Sequence, residues 1–576
     1  MEKWAIRNKK GDFDGISKRF GISKVSARML VNRDLCDFEQ INEFLNPDIS
    51  MLHSPAFLKG TKEAVVLLRK KIEEGKRIRI VGDYDVDGIM ATYILTDAIR
   101  SCGGNVDWYI PHRIRDGYGI NSEIIRTAAE DGIDTVVTCD NGIAAFDAAD
   151  EARKAGITMI VTDHHELQDR LPDCDIIIDP KQKDDNYPCK EICGAVVASK
   201  LAVSLFGEMG LEIGNDRYLE FMGMATVCDV VSLQGENRVI AKLGIKKLGL
   251  TSNPGLAALI REKGVDTESL SEYHVGFVLG PCFNATGRID DAGVALNMLM
   301  EKDPLTAEKY ARECVELNEE RKEMTAVQEK KAIDLVDSFE VLPKVLVVEL
   351  EDCHESILGI IAGRLKEHYS RPAIAATRNN EGYKASARST ENYNIFEELK
   401  KCSDLLVKFG GHPMAAGLTI REGCFDEFAK RLNDNCSLCE DDLCKRVLID
   451  AEVAFNAFDE RTMNELAMFA PFGTGNPSAL FAERNLKVKS MSYIGKENSF
   501  LKLALENSFG CSITATLFNN VANVIDEMER KYGRDQVNKA FEGEKNNIVL
   551  TAAYYPRFNV YHDIKDIQMN IKYVRV

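Results

Sequence analysis

The chain has 576 residues, of which 45% are hydrophobic and 28% are charged. This composition excludes a disordered or fibrous protein, and the length predicts about three or four domains at roughly 150 residues each. The formal net charge of −18 excludes nucleic-acid binding through a uniformly basic surface, because such binding requires lysines and arginines that replace condensed counterions. Any contact with nucleic acid must therefore use local basic patches.

The first residues, MEKWAIRNKKGDF, lack the apolar run of a secretory signal, and no stretch approaches the roughly 20 apolar residues that span a bilayer. We therefore expect a cytoplasmic protein that has no membrane partner. The 16 cysteines are scattered along the chain, so we expect reduced thiols, most of them in the core.

Residues 61–180 alternate helical and strand patterns. The short apolar runs IRIV, TVV and MIV lack polar alternation, which is typical of strands buried on both faces. The alternation predicts an α/β fold, with a parallel sheet that is covered by helices on both faces. Each apolar run ends in acidic residues or histidines, and open α/β sheets bind ligands beyond the carboxyl ends of their strands. The spacing therefore predicts a convergent site.

The remainder of the chain shows three further patterns. Asp303 followed by Pro304 predicts the start of a long connecting helix that continues to about Asp337. A smaller mixed α/β unit follows, and β-rich runs from about Lys445 onwards predict a small barrel. The domains that we expect are a catalytic domain with an N-terminal extension at 1–303, a connecting helix at 304–340, a second α/β domain at 341–445 and a barrel at 446–576.

The segment GDYDVDG places Asp83, Asp85 and Asp87 at alternate positions directly after a buried strand. Three carboxylates this close repel one another unless a cation compensates them. A solvated turn is the alternative for such a motif taken alone, and its position at a strand end favours a metal site.

Further candidate ligands follow later apolar runs: Asp140 in CDNG, Asp163, His164 and His165 in TDHH, and Asp229 in CDVVSL. Carboxylate oxygens with one imidazole suit manganese or magnesium better than a thiolate-seeking metal. Carboxylates around two cations can activate a water and stabilise both oxygens of an in-line phosphoryl displacement. The pattern therefore favours a two-metal phosphodiesterase.

The motifs GDYDVDG, CDNG, TDHH and CDVVSL, in this order, resemble those of the DHH phosphoesterase superfamily. GRID at 287–290, KASARS at 384–389, GGHPMAAG at 410–417 and PFGTGNP at 471–477 extend the resemblance to the RecJ exonucleases over nearly the whole chain. The resemblance implies a DHH domain, a DHH-associated domain and a C-terminal OB fold. It also implies 5′→3′ degradation of single-stranded DNA to 5′-mononucleotides in recombination and repair.

The resemblance implies a role for each site residue. The metal ligands would be Asp85, Asp87, Asp140, His164 and Asp229, with two manganese or magnesium ions and Asp140 bridging them. In the catalytic group, Asp83 would be a weaker partner of the metals, Asp163 would orient the histidines, and His165 would contact the scissile phosphate. The remaining substrate-binding residues would be Asn284, Arg288, Ser386, Arg388, Ser389, Gly410, Gly411 and His412.

Several of these residues have structural alternatives. Arg288 suits bidentate contact with a phosphate, and a surface ion pair is the alternative. Gly410 and Gly411 permit close approach of a phosphate, and a tight turn would use them equally well. Arg113 and Tyr118 fit the phosphates and bases of a strand, with loop packing as an equal alternative.

Three tyrosines and one arginine of the barrel have the same ambiguity, because they suit DNA contact and core packing equally well: Tyr554, Tyr555, Arg557 and Tyr561. The CxxC of Cys436 and Cys439, with Cys444 nearby, lacks the fourth ligand of a zinc or iron–sulfur centre. Thr286 stands where the family pattern has alanine.

Two other functions compete with the exonuclease. A DHH phosphoesterase of nano-RNA or cyclic dinucleotides would lack the long C-terminal region, and an inactive replication scaffold would have lost metal carboxylates that are all present here. The partners that we expect are single-stranded DNA and, through the resemblance, a single-strand-binding protein and a helicase. We expect the chain to be a monomer.

Overall fold

The structure is a computed structural model that describes residues 2–117, 119–561 and 564–576. Its internal contacts divide the chain into two compact units. The first contains residues 49–231 and 239–445, and the second contains residues 2–48, 232–238 and 446–576. In the part of the chain that is described, no helix has both the length and the apolar character needed to cross a membrane.

A five-stranded parallel sheet organises the first unit, as the alternating pattern predicted. Its order is β3-β2-β4-β5-β6. The strands are β2 Arg77–Val81, β3 Asn105–Tyr109, β4 Thr135–Cys139, β5 Thr158–Thr162 and β6 Ile176–Ile178. The helices that alternate with the strands or follow them are α4 Thr61–Glu73, α5 Val86–Ser101, α6 Ser122–Glu130, α7 Phe146–Ala155 and α8 Gly194–Glu208.

A helical region follows the sheet. Its α-helices are α9 Leu219–Cys228, α10 Gly235–Leu248, α11 Pro254–Glu262, α12 Gly280–Ile289, α13 Gly293–Met300 and α14 Pro304–Asp337. A π-helix, His274–Leu279, runs directly into α12. The predicted long helix is α14, and the carboxylate of Asp303 accepts a hydrogen bond from Thr306 N, 2.9 Å away, at its start.

A second five-stranded sheet, of order β10-β11-β9-β8-β7, completes the first unit. Only the β7–β8 pair is parallel. The elements are β7 Leu346–Glu349, α15 Leu358–Tyr369, β8 Ala373–Asn379, β9 Gly382–Arg388, α16 Ile395–Lys400, β10 Leu406–His412, β11 Ala415–Ile420 and α17 Phe425–Asp434. Along β9 the alanines are buried, while Lys384, Ser386 and Arg388 share the more open face, as the two-residue period of a strand requires.

The predicted barrel lies in the second unit. The strands pair in the order β14-β15-β16-β18-β17, and β17 pairs in turn with β14. This closes a five-stranded ring of the kind found in OB folds. The elements of this region are β12 Lys445–Ile449, β13 Ala451–Glu452, α18 Glu460–Met468, β14 Phe481–Ile494, β15 Phe500–Glu506, β16 Ser512–Leu517, α19 Val521–Tyr532, α20 Arg534–Phe541, β17 Val549–Tyr561 and β18 Ile564–Arg575.

Residues 2–48 lie in the second unit, whereas the sequence-based expectation attached them to the catalytic domain. They form β1 Glu2–Ile6, α1 Phe13–Phe20, α2 Lys24–Asn32 and α3 Phe38–Leu45. β1 pairs with β12, and the buried side chains of Met29 and Leu30 share one apolar core with Leu486 and Leu503 of the barrel. The helical pattern of these residues could not show which surface would cover their apolar faces.

The PFGTGNP motif has a structural role inside the second unit. The buried Asn476 amide donates to the carbonyls of Phe469 and Pro471, both at 2.8 Å, and accepts from Arg33 Nε at 2.6 Å. Leu233 N donates to Thr474 O at 2.8 Å. Because buried polar groups are costly when unpaired, these bonds hold the N-terminal helices and residues 232–238 within the second unit.

Barrel aromatics divide between the two alternatives. Tyr554 is fully buried and its hydroxyl donates to Val453 O at 2.8 Å, so it is a core residue and not a contact for DNA. Tyr555 is half-buried and Arg557 is exposed. The side chain of Tyr561 lies outside the described residues.

Candidate metal centre

Three adjacent strands of the parallel sheet end in the predicted carboxylates. Asp83 follows β2, Asp140 follows β4 and Asp163 follows β5, and each is at most 3% exposed. Since parallel strands end at one edge of a sheet, the three carboxylates lie side by side as the spacing predicted. Asp140 has a φ of 61°, a left-handed conformation that Asp adopts more readily than most residues.

The GDYDVDG segment joins β2 to α5. Asp85 is the N-cap of α5 and accepts from Gly88 N at 3.1 Å, which places Asp87 in the first helical turn. A Cβ on Gly88 would lie 2.5 Å from the carbonyl oxygen of Asp83. Only glycine therefore allows the loop to turn this tightly and present three carboxylates together.

Asp87 also caps α8. Its two oxygens accept from Gly194 N at 2.6 Å and from Ala195 N at 2.7 Å, at the helix end where backbone N–H groups have no intrahelical partner. A Cβ on Gly194 would lie 2.7 Å from the Cβ of Asp140 and 3.0 Å from Asp87 Oδ2. Gly194 is thus a site residue that the sequence analysis missed. Its only signal is a glycine at the start of the apolar run AVVASK.

Asp163 organises the TDHH segment. Its Oδ1 accepts from His164 N at 2.7 Å, from His165 N at 3.2 Å and from the His165 ring at 2.7 Å, while Oδ2 accepts from Ile143 N at 2.9 Å. These bonds fix the direction of His165. The predicted orienting role of Asp163 agrees with this geometry.

His164 lies among the acidic residues. Its Nε2 is 2.9 Å from Asp140 Oδ1 and 3.5 Å from Asp87 Oδ2, and its Nδ1 is 3.9 Å from Asp229 Oδ2. Asp229 is the C-cap of α9. A helix end and two strand ends therefore converge on one imidazole.

Two groups of side chains have donor atoms within 4.8 Å of one another: Asp83 with Asp85 and Asp140, and Asp87 with His164 and Asp229. A third group joins Asp140 to His164 and His165. The oxygen-rich sets fit manganese or magnesium, and Asp140 lies where one carboxylate can serve two ions.

Asp83 is placed differently from the expectation of a weaker partner. Its carboxylate belongs to a ligand group, and its buried Oδ1 has no hydrogen-bond partner among the described residues. Burial first, and then the charge of Asp85, hold the pKa of Asp83 well above its ordinary value. An unpaired buried carboxylate oxygen is costly unless it binds a cation, so the geometry favours Asp83 as a metal ligand.

Burial also shifts the pKa values of the other residues in the cluster. Burial, followed by the neighbouring carboxylates, raises the pKa of Asp140 well above its ordinary value and the pKa of Asp229 to about 8. Burial lowers the pKa of His164, which favours the neutral imidazole that binds metals. Cations would offset the repulsion and keep the carboxylates ionised.

Three guanidinium groups form the second part of the site: Arg113, Arg288 and Arg388. Among the described residues, none has a carboxylate oxygen within 4.0 Å, and so the ion-pair alternative for Arg288 does not hold. Burial first, and then the charge of Arg113, lower the pKa of Arg288 to about 10 and also lower the pKa of Arg388. Like charges that lie near one another without a direct ion pair favour a phosphate ligand.

Arg288 and Arg388 both lie beside the start of α15. Arg288 Nη1 donates to Ser356 O at 2.9 Å, and a Cβ on Gly359 would lie 2.7 Å from Arg388 Nη2 and 3.0 Å from Ser386 Oγ. Arg388 Nη1 donates to Ser386 Oγ at 3.1 Å. The structure therefore places Ser386, Arg288 and Arg388 near the start of α15, and their substrate-binding role stays a prediction.

Other predicted substrate residues have structural contacts. Asn284 Oδ1 accepts from Val86 N at 3.1 Å and so supports the metal-binding loop. Ser389 is 1% exposed and its hydroxyl donates to Tyr393 O at 2.5 Å. It is therefore buried beside the second sheet of the first unit and is not open to a substrate. Tyr118 lies outside the described residues.

The glycine turn lies on the β10–β11 hairpin. Gly411 has a φ of 149°, and a Cβ there would lie 2.4 Å from Ala415 O, whereas a Cβ on Gly410 would meet nothing within 4 Å. Gly410 and His412 are exposed.

Comparison with family models agrees with this architecture. Residues 77–226 match the DHH family, N-terminal domain, residues 342–438 match the DHHA1 domain, and residues 449–573 match the RecJ OB domain. The sheet, the clustered carboxylates and these matches define a metal-dependent phosphoesterase of the DHH class.

Sequence comparison with individual relatives identifies the family within this class. Over 528 residues the chain is 33% identical to the single-stranded-DNA-specific exonuclease RecJ of Dickeya dadantii (strain 3937), covering 87% of this chain and 91% of that protein. The chain belongs to the RecJ family of single-stranded-DNA-specific exonucleases. It is 34% identical over 510 residues to RecJ of Bacillus subtilis (strain 168), an alignment that covers 88% of this chain and 64% of that longer protein.

A solved structure shows the same fold. The crystal structure of RecJ in complex with Mn²⁺ from Thermus thermophilus superimposes with a TM-score of 0.84 and 24% sequence identity. The match covers 100% of this chain and 79% of that chain.

Proposed function

We propose that this chain hydrolyses single-stranded DNA from its 5′ end and releases 5′-mononucleotides, with two manganese or magnesium ions. The observation that carries the proposal is the set of three ligand groups, two of which contain Asp140, beside three arginines that have no carboxylate oxygen within 4.0 Å among the described residues. Carboxylates for two cations and guanidinium groups for phosphates are the parts that a metal-dependent phosphodiesterase requires.

Different residues would bind the metals, hold the phosphate and donate a hydrogen bond to it. The ligands would be Asp83, Asp85, Asp87, Asp140, His164 and Asp229, and the ions that they bind supply an activated water and charge stabilisation at the phosphate. Arg288 and Arg388 hold phosphate oxygens. His165, whose Nδ1 is 2.7 Å from Asp163, presents Nε2 as the donor to a phosphate oxygen in the transition state.

The surroundings of His165 favour the protonated form of its ring. Burial alone would lower the pKa of this imidazole, but the hydrogen bond and the charge of Asp163 outweigh burial and raise the pKa to about 9. The ring is therefore charged at neutral pH before substrate and metals bind. A charged donor suits the negative charge that develops on the phosphate.

End-labelled single strands test the polarity. We expect a 5′-labelled strand to release its label as mononucleotide early, in manganese or magnesium but not in a chelator, and duplex to be a poor substrate. Early release of label only from the 3′-labelled strand would reverse the polarity. If every strand stayed intact with either metal, the proposed hydrolysis itself would be wrong.

The second unit would bind the strand without supplying metal ligands. Arg557 is exposed on β17, and the Lys565 Nζ lies 3.8 Å from the centre of the Phe558 ring. Cations with aromatic rings suit a single strand. Deleting the barrel is a poor test, because residues 2–48 share its apolar core and would lose their packing partner.

A single substitution tests the same idea. Arg557→Ala should weaken binding of long strands and reduce the slope of log affinity against log salt by about one, because one phosphate contact is lost. Arg484→Ala is the matched control, since Arg484 is exposed but lies 3.0 Å from Glu452. Equal slopes for Arg557→Ala and the unmodified chain would exclude this contact.

The finer predictions of the sequence belong to the same proposal: action in recombination and repair in the cytoplasm, a monomeric state, and a single-strand-binding protein and a helicase as partners. The competing activity on nano-RNA or cyclic dinucleotides is less well supported, because residues 449–573 match the RecJ OB domain. The proposed domain boundaries are those of the two units, with 2–48 joined to the barrel.

A further inference from the structure

An exposed aromatic pair lies on the helix that leads to Arg288. Tyr273 is 60% exposed and Phe277 is 72% exposed. Their rings are stacked, with centroids 5.5 Å apart and an interplanar angle of 26°. Exposed aromatic rings cost free energy in water unless a ligand covers them, so this pair is a candidate contact for a flat, apolar group.

The pair shares one helical face with two predicted phosphate-site residues. The π-helix His274–Leu279 continues into α12 without a break, and Phe277, Asn284 and Arg288 are spaced at seven and four residues. In α-helical geometry these intervals return a residue to the same face. Residues 277–279 have the wider turn of the π-helix, so the exposure of each position decides its face. Along this face the positions are exposed or half-buried, whereas Val275, Leu279 and Phe283 on the opposite side are buried.

The π-helix also packs beside the helix that carries the candidate ligand Asp229. Cys228 Sγ lies 3.7 Å from Val275 O, and a Cβ on Gly280 would lie 2.5 Å from Cys228 Sγ. Val230, the residue after Asp229, is 64% exposed and has a φ of 62°. A β-branched residue in this conformation is strained, and such strain is typical of functional sites, as π-helices are.

From these contacts we infer that Tyr273 and Phe277 stack on nucleobases of the strand whose phosphate Arg288 holds. The inference rests on the proposed function and adds a base-stacking position to it. Phe277 and Arg288 are eleven residues apart, roughly 16 Å along a helix axis. At about 3.4 Å per stacked nucleotide, the bases that are contacted lie within about five nucleotides of the phosphate at Arg288.

The chemistry selects bases over other occupants. Every nucleobase has a flat face that stacks on an aromatic ring, and this contact does not depend on sequence. An exonuclease that must release and rebind each successive nucleotide requires contacts of that kind. The aromatic pair therefore positions the strand, while Arg288 and the metal ligands act on the phosphate.

Substrates without bases provide the test. KM and kcat are measured in manganese for the unmodified chain, the double variant Tyr273→Ala/Phe277→Ala and the conservative variant Phe277→Tyr. The substrates are a dinucleotide, a twelve-nucleotide strand, and the same strand with abasic residues at the five positions next to the cleaved end. Leu250→Ala is the control, because Leu250 is an 81% exposed apolar residue outside this helix.

We expect the double variant to raise KM for the complete strand at least fivefold and to leave kcat and dinucleotide cleavage within twofold. Phe277→Tyr and Leu250→Ala should match the unmodified chain. For the unmodified chain, KM should be higher with the abasic strand than with the complete strand. With the abasic strand, the unmodified chain and the double variant should have the same KM.

A double variant that raises KM equally for complete and abasic strands, or for neither, would overturn the stacking role. A double variant that sediments more slowly than the unmodified chain at an unchanged KM would also overturn the stacking role. That result would assign the aromatic pair to a contact between copies of this chain. Failure of the proposed function gives a different pattern, in which the unmodified chain cleaves neither the dinucleotide nor the strand.

Discussion

Replacing Asp140 by Asn should reduce hydrolysis of single-stranded DNA by more than about 1,000-fold, because this carboxylate belongs to two of the three candidate ligand groups, one with Asp83 and Asp85 and one with His164 and His165. Loss of a residue that merely supports a ligand costs 10- to 100-fold, and loss of a shared ligand should exceed that. Asn tolerates the φ of 61° at this position better than Ala, so the substitution tests the ligand and not the backbone.

Thermal unfolding separates the site from the fold. The metal-free Asn variant should be at least as stable as the unmodified chain, because a buried charge that repels its neighbours is removed. Manganese should raise the melting temperature of the unmodified chain, since it binds the folded state, and should raise that of the variant much less. Asp169→Asn, at an exposed position, is the control. An active variant with a full manganese shift would exclude a role for Asp140 as ligand.

The carboxylate cluster could be predicted from the sequence because a parallel sheet reduces the problem to strand ends. Asp83, Asp140 and Asp163 each follow a short apolar run, and neighbouring parallel strands end at one edge. No further geometry is needed to bring them together. Asp229 follows a helix instead. The sequence analysis grouped it with the others because it also follows an apolar run, a signal that does not distinguish a buried helix from a buried strand.

The roles of Asp83 and Ser389 could not be settled in this way. Both lie in motifs that the resemblance covers, but their roles depend on burial and on partners. Asp83 has a buried oxygen without a partner among the described residues, whereas the hydroxyl of Ser389 is bonded to Tyr393 O. A motif shows which residue types are present, and only packing shows which of their atoms can reach a ligand.

The position of residues 2–48 could not be predicted for a related reason. Their helices have clear caps, such as Ser23, which accepts from Ser26 N, and Asp37, which accepts from Glu39 N. Local signals of this kind define where a helix begins. The choice of packing partner depends on apolar contacts with residues of the barrel, far away in the chain, and no periodicity records those contacts.

Gly194 is the site residue whose role the sequence pattern showed least. Its substitution should have the second large effect on activity. Gly194→Ala places a Cβ 2.7 Å from the Cβ of Asp140, 3.0 Å from Asp140 Oδ1 and 3.0 Å from Asp87 Oδ2. Two candidate ligands must then move by several tenths of an ångström. Because a misplacement of about 1 Å can cost 100-fold in rate, we expect at least a tenfold loss of turnover and a weaker response to manganese.

The matched control lies on the same helix. A Cβ on Gly207, in the last turn of α8, would meet nothing within 4 Å, so Gly207→Ala should keep full activity. It should stabilise the protein by about 0.5–1 kcal/mol, since Ala loses less conformational freedom than Gly in a helix. The comparison separates the steric effect at Asp87 and Asp140 from the general effect of a methyl group on α8. Equal activities and equal manganese-induced shifts of melting temperature in the two variants would mean that the close packing at Gly194 has no part in shaping the metal centre.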